Sequence, residues 1–244
     1  MPNRDNQHLR TGLLAGEPPS DILVKGKFMP TELRPPSPGD FYPDLIEYLN
    51  ARQAEFGLIP DDRKSELSEV AQYVRDRLAR SEVAKVTFIC THNSRRSHLS
   101  QVWGQIAAEF YGLSNIETYS GGTEATAFNP RAVAALQRSG LKIVVDDPNA
   151  RNPRYSVYTS DGSVPQVCFS KVYDAAPNPA TEFCAVMTCA EADKACPLVG
   201  GCDLRVPIRY EDPKVADGTE QESQRYDERS AQICREMLFM MSRV

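Results

Sequence analysis

Residues 86–97 read V-T-F-I-C-T-H-N-S-R-R-S. The β-branched and aromatic run 86–89 has the composition of a short buried strand, and it ends in Cys90. Polar residues follow as far as Arg96 and Ser97, and then an amphipathic helix with Leu99, Val102, Trp103, Ile106 and Phe110 on one face. Cys90 is therefore expected at a strand end, facing a helix N-terminus. The backbone N–H groups of the loop and of the first helical turn make a nest of positive partial charge into which an oxyanion fits. Arg96 adds a permanent cation whose planar fork suits bidentate contact with phosphate-like oxygens. The same field favours thiolate over thiol at Cys90, making it a nucleophile. A buried core cysteine before a basic helix start is the plainer alternative, but it does not require strand, loop, Ser97 and helix in this order.

The 244 residues around this stretch carry 28 Lys and Arg against 33 Asp and Glu, a net charge of −5. That balance, with no long basic run, speaks against a nucleic-acid partner. No apolar stretch approaches a membrane span, and the opening M-P-N-R-D-N-Q-H lacks the basic-then-apolar order of a signal peptide, so a cytoplasmic protein without a membrane partner is expected. The seven cysteines, at 90, 168, 184, 189, 196, 202 and 234, are an odd number in a chain of ordinary length. Reduced thiols with a redox or nucleophilic task fit that better than a secreted disulfide scaffold. Four of them fall within 184–202 with gaps of four, six and five residues, no C-x2-C pair and no nearby histidine, so no zinc or other metal site is expected.

Upstream, residues 1–40 hold seven of the eighteen prolines and no sustained period, the pattern of a flexible or extended leader. Two helices follow. One over 43–56 aligns Leu45, Ile46, Leu49 and Phe56 and stops at Gly57, and one over 61–80 aligns Leu67, Val70, Val74 and Leu78. Downstream, 116–120 reads as a strand running into Gly121-Gly122, and Asn129-Pro130 supplies an N-cap and first-turn proline for a helix ending at Gly140. Strand, helix, strand, helix points to a parallel sheet, with ligands beyond the carboxyl ends of its strands. Within 146–178 the pattern changes to 155–160, an Asp161-Gly162 turn and 167–173, a hairpin in which Cys168 is a strand residue. A strand over 183–188 ends at Cys189, and the last strand, 204–208, runs into Tyr210-Glu-Asp-Pro213. Thr219-x-x-Glu222 forms a capping box for a closing helix with Tyr226, Ile233, Cys234, Met237, Leu238 and Met241 on one stripe.

The spacing C-x5-R-S after a strand resembles the phosphate-binding loop of the low-molecular-weight protein tyrosine phosphatases and the related thioredoxin-coupled arsenate reductases. The resemblance covers 84–144 and 183–240, interrupted by the hairpin. It implies an α/β fold with a four-stranded, mainly parallel sheet flanked by helices, a helical appendage at 41–82, an inserted hairpin, and a catalytic domain at 83–244. It further implies that residues Thr91, His92, Asn93, Ser94, Arg95, Arg96 and Ser97 bind the oxyanion, Ser97 helping to stabilise the thiolate. Asp212, before Pro213, inherits the role of proton donor to the leaving oxygen.

Cys189 and Cys196, six residues apart after a strand, resemble the further cysteines of the arsenate reductases, which need two electrons and end each turnover with a disulfide. The implied relay runs from Cys90 on arsenate, to Cys189 on Cys90 with release of arsenite, to Cys196 on Cys189. A thiol reductant such as thioredoxin then opens the Cys189–Cys196 bond as a co-substrate, and no resident cofactor is implied. Were 189–196 helical, the two Cα atoms would stand about 10 Å apart along the axis, beyond the roughly 7 Å that a disulfide spans. The small and polar residues between them read as a mobile turn. The alternatives are a tyrosine phosphatase working through a phosphocysteine, and a non-catalytic oxyanion-binding module. The sequence departs from the family at His92, where a glycine is usual, at Arg95, where a second loop cysteine is common, and at Gln101, where some members have a potassium-binding glutamate beside positions matching Asn93 and Ser120. His98 reads as a surface or capping residue.

Overall fold

In the computed structural model, which describes residues 40–244, the strand ending in Cys90 lies in the interior of a parallel sheet. In chain order the elements are α1 (Pro43–Ala54), α2 (Asp61–Ala79), β1 (Ala84–Cys90), α3 (Arg96–Phe110), β2 (Ile116–Gly122), α4 (Pro130–Arg138), β3 (Lys142–Val145), β4 (Tyr155–Tyr158), β5 (Gln166–Cys168), β6 (Phe183–Met187), α5 (Ala190–Ala195), β7 (Cys202–Pro207) and α6 (Glu222–Met241), with 3-10 turns at Phe56–Leu58 and Pro213–Ala216. The leader expected over 1–40 lies, but for Asp40, outside the described residues.

The sheet order is β2-β1-β6-β7, every pair parallel, and helices flank it. This is the α/β class that the sequence predicts. The hairpin is β4 with β5, and β3 joins it to make a three-stranded antiparallel sheet. The sequence pattern does not mark β3, because four residues following a helix are too short a run to read as a strand.

β1 and β6 are buried on both faces, and successive residues turn to opposite sides of the sheet as the two-residue period requires. Val86, Phe88, Cys184 and Val186 join the larger apolar cluster, and Ile89, Phe183, Ala185 and Met187 join a smaller one. In α3 all residues but Gln105 and Glu109 are buried, as suits a helix enclosed by the sheet and its neighbours. Trp103 at its middle donates to Ser230 Oγ at 3.0 Å and stacks on Tyr48 of α1, ring centroids 5.4 Å apart. Leu45 and Leu49 of α1 and Leu67, Val70 and Val74 of α2 belong to the same large cluster, so both helices are packed into the core.

Three local expectations change. The first helix ends at Ala54, with Phe56 in a 3-10 turn where it meets Phe239 edge-on. Residue Gln221, not Thr219, precedes α6, and Glu222 accepts from the Gly218 amide at 2.6 Å, so the capping box does not form. Residues 190–195 form α5, a full helical turn and a half, where a mobile turn was expected.

Two glycines end β2 under the Cys90 loop. A Cβ on Gly122 would stand 2.7 Å from the Asn93 amide nitrogen, and one on Gly121 would stand 2.8 Å from the Tyr173 nitrogen and closer still to its Cα. Gly121→Ala is therefore expected to destabilise the protein by about 1–3 kcal/mol in urea unfolding, whereas Gly162→Ala, with nothing within 4 Å of the added carbon, serves as the near-neutral control. An unchanged midpoint for Gly121→Ala would contradict this packing.

Candidate functional site

Cys90, 3% exposed, ends β1 opposite Gly122, and α3 begins at Arg96. In the loop between them the carbonyls are tied to the surrounding chain. Thr123 N donates to Cys90 O at 3.1 Å, Glu124 N to Thr91 O at 3.0 Å and Asn129 N to Ser94 O at 2.8 Å, while Thr126 and Ser170 hydroxyls donate to His92 O at 3.0 and 3.1 Å. Among the described residues no amide from Thr91 to Ser97 donates to a protein acceptor, and α3 has no side-chain N-cap. The loop therefore presents donors without acceptors, the polarity that an anion needs.

Asn93 holds this turn. Its φ of +43° is left-handed, a region that Asn enters more readily than most residues. Its side chain is used at both ends, Nδ2 donating to Ser97 Oγ at 2.9 Å and Oδ1 accepting from the Lys171 amide at 2.9 Å. Because Ser97 Oγ already accepts from Asn93, its own proton is free to donate to Cys90 Sγ, 3.0 Å away.

Arg96 is buried, with Nη1 donating to Tyr210 O at 3.0 Å and Nη2 to Asp212 Oδ2 at 2.9 Å. Asp212, in the turn after β7, also accepts from Lys214 N at 3.1 Å. The Arg95 side chain turns from the loop toward α6. It donates to Tyr226 OH at 2.8 Å and stands 3.6 Å from Asp217 and 3.8 Å from Asp212. Burial pushes the Tyr226 hydroxyl up to about 12, with the bond to Asp217 adding to it. Residue His92 is exposed, its ring 3.0 Å from Glu124. Beyond Asp212 the surface opens into a cleft of about 530 Å³ between α1 and α6, with Arg52, Arg229, Arg235, Leu58 and Val215 on its walls.

Cys189 is fully buried and 3.4 Å from Thr91 Oγ1, next in sequence to Cys90. It is the N-cap of α5, accepting from Ala192 N at 3.4 Å, and Cys196 is the C-cap, its amide donating to Ala192 O. All seven cysteines are free thiols, and among the described residues no three His, Cys, Asp or Glu side chains gather as a metal site. Gln101 accepts from Ser120 Oγ at 2.6 Å.

The structure thus brings Cys90, Asn93, Ser97, Arg96, Asp212 and Cys189 to one end of the parallel sheet. Sequence reasoning missed Glu191, 3.8 Å from Arg96, whose carboxyl is held below its ordinary range first by a hydrogen bond from its own amide. It also missed the bracing role of the Asn93 side chain, for which the only local signal was an Asn in a tight loop.

His98 corrects the surface reading. It is fully buried, stacked on Phe128 with ring centroids 4.1 Å apart, because Phe128 and the segment carrying Phe169 and Lys171 cover that side of α3. Burial, then the Lys171 charge, lowers its pKa from 6.5 to about 3. Between those values the unfolded chain binds a proton that the native protein does not, so stability falls as pH drops below 6.5. The slope due to this residue approaches about 1.4 kcal/mol per pH unit. Urea unfolding at stepped pH is expected to show a shallower loss for His98→Gln than for the parent, and equal slopes would contradict the assignment.

A cysteine sulfur under a ring of unpaired amides, with an arginine and a carboxylic acid at the mouth, defines a class of α/β enzymes that attack oxyanions through sulfur. Comparisons with known proteins narrow the class. Residues 85–153 match the low molecular weight phosphotyrosine protein phosphatase family. An arsenate reductase of Halalkalibacterium halodurans is 30% identical over 137 residues, 56% of this chain and 79% of the relative. One of Bacillus subtilis matches with the same identity and coverage. A low molecular weight phosphotyrosine phosphatase of Vibrio cholerae superposes loosely, with TM-score 0.42 and 15% identity over 65% of this chain and 94% of that one. The chain belongs to the family of the low-molecular-weight tyrosine phosphatases and arsenate reductases, and it is an enzyme of one of these two types. Among the described residues no helix is long and apolar enough to cross a membrane.

Proposed function

We propose that the chain is an arsenate reductase that works by a three-cysteine relay from Cys90 through Cys189 to Cys196. The observation that carries the reading is the burial of Cys189 against Thr91, in the same apolar cluster as Cys90, with Cys196 at the far end of the same short helix. Phosphoryl transfer needs only one thiol, whereas reducing arsenate takes two electrons from a pair of thiols. The arsenate reductases at about 30% identity support the same choice.

Arsenate enters the amide ring and takes donors of Arg96, whose Nη2 also donates to Asp212. Cys90 sulfur attacks arsenic, an S–As bond forms as an As–O bond breaks, and the arsenate hydroxyl leaves as water with the proton that the Cys90 thiol gave up, passed on through Asp212. Ser97 and Asn93 steady the sulfur before attack. Cys189 then attacks Cys90 sulfur, forming an S–S bond while the S–As pair departs with arsenic as arsenite. Cys196 attacks Cys189 and frees Cys90. A thioredoxin-type dithiol reduces the Cys189–Cys196 disulfide, and its two electrons are those delivered to arsenic. The cycle starts from free thiols, which suits a reducing compartment such as the cytoplasm.

The second reading, a phosphatase, draws on the cleft beyond Asp212, which is larger than an inorganic oxyanion needs and has walls for a substrate side chain. A paired assay separates the two. With arsenate, thioredoxin and its reductase, the parent is expected to turn over and Cys189→Ser to be inactive, while any aryl phosphate hydrolysis survives in Cys189→Ser. Aryl phosphate turnover without arsenate turnover in the parent would replace the reductase by the phosphatase, and activity in neither assay would leave an oxyanion-binding module. In either enzyme Arg96→Lys, which keeps the charge but loses the fork, is expected to lower kcat/KM about 100-fold, measured on whichever substrate the parent uses. A loss below threefold would remove Arg96 from the oxyanion site.

A further inference from the structure

Four cysteines share the small apolar cluster on one face of the sheet. Cys90 and Cys189 are buried in it with Ile89, Phe183, Met187 and Val199, and Cys196 and Cys202, both partly exposed, pack against it. The relay proposed above uses three of them and leaves Cys202 idle.

The geometry of α5 gives Cys202 a task. The Cys189–Cys196 bond spans the two caps of this helix. Bringing them within disulfide reach breaks the bonds from Asp193 N to Cys189 O, 3.0 Å, and from Cys196 N to Ala192 O, 2.9 Å. It also pulls Cys196 O from Arg205 Nε, 3.1 Å away. A disulfide there is therefore formed against the folded state of its own segment. Cys196 and Cys202 are instead joined by Pro197-Leu-Val-Gly-Gly201, a loop with two glycines, the second already at φ +77°. Cys202 Sγ lies 3.1 Å from Val199 O inside that loop. A bond between these two sulfurs closes a short loop and leaves α5 free to rewind.

We propose that Cys202 is a fourth redox thiol, which takes the disulfide from Cys189–Cys196 to Cys196–Cys202 and so presents it to the reductant. The inference rests on the relay reading. In the step, the Cys202 thiolate attacks Cys196 sulfur, the Cys189–Cys196 bond breaks, and Cys189 leaves as thiolate and takes up the proton that Cys202 gave up. No electrons enter or leave, since one disulfide replaces another. Burial pushes the Cys202 thiol above its ordinary value, which makes it a poor leaving group and a firm final holder of the bond. The product brackets Leu198, which is 87% exposed, and joins two partly exposed cysteines, whereas Cys189 is wholly buried.

Disulfide mapping tests this. The reduced full-length protein is given one equivalent of arsenate without reductant, quenched in acid, alkylated and digested with trypsin. Cys196 and Cys202 share the peptide 195–205, and Cys184 and Cys189 share 172–194. The expected product is peptide 195–205 lighter by two hydrogens and unalkylated, and in Cys202→Ser a cross-link between 172–194 and 195–205 in its place. A parent that ends with that cross-link overturns the role of Cys202 while keeping the relay. A parent with all seven cysteines alkylated overturns the relay itself. The parent's own map decides the matter even if Cys202→Ser fails to fold.

Discussion

Asn93 at the bend of the Cys90 loop is the residue on which the site's polarity depends. A non-glycine residue in the left-handed region costs on the order of 1–3 kcal/mol and persists only where its surroundings hold it there. Here they do so from two sides, through Ser97 at the start of α3 and the Lys171 amide beyond β5. Turning the backbone at Asn93 lets the loop's carbonyls face out to Thr123, Glu124, Thr126, Asn129 and Ser170. The amides are left for an anion. Gly122 makes the bend possible from below, since any side chain there would collide with the Asn93 nitrogen. Strand end, glycine floor and asparagine brace therefore form one constraint, and Cys90 chemistry is its consequence.

A second constraint opposes the first in character. The nest is over-determined, whereas α5 is short and its N-terminus is capped by the Cys189 sulfur rather than by oxygen. Sulfur is a weak acceptor compared with the Ser, Thr, Asp and Asn oxygens that usually cap helices. A six-residue helix with so weak a cap opens at little cost. That is the behaviour required of a segment that must bring its own ends together, while the loop beside it keeps its shape. Asp193 ties α5 to Arg205 of β7, so the segment can return to one place after opening.

Much of this was legible in the sequence, for a local reason. The strand composition of 86–89, the polar loop, the apolar stripe of α3 and the Asn129-Pro130 cap are all short-range patterns, and Asn129 Oδ1 does accept from Arg131 N at 2.9 Å. The residues that escaped depend on partners far along the chain. His98 is buried by residues some thirty and seventy positions downstream, and Arg95 turns to Tyr226, 131 residues away. For α5 two sequence signals conflict. A-E-A-D-K-A consists mostly of good helix formers, and its small size and polarity pointed less reliably to a turn than propensity did to a helix.

The claim most open to direct measurement is that the amides of residues 91–97 form the oxyanion site. Titrating the reduced protein with inorganic phosphate while following 1H–15N amide shifts tests it without relying on turnover or on any thiol. The account predicts that these amides shift together with a single saturating constant, and that the response disappears in Arg96→Ala. Saturable shifts elsewhere on the surface, with residues 91–97 unmoved, would contradict it.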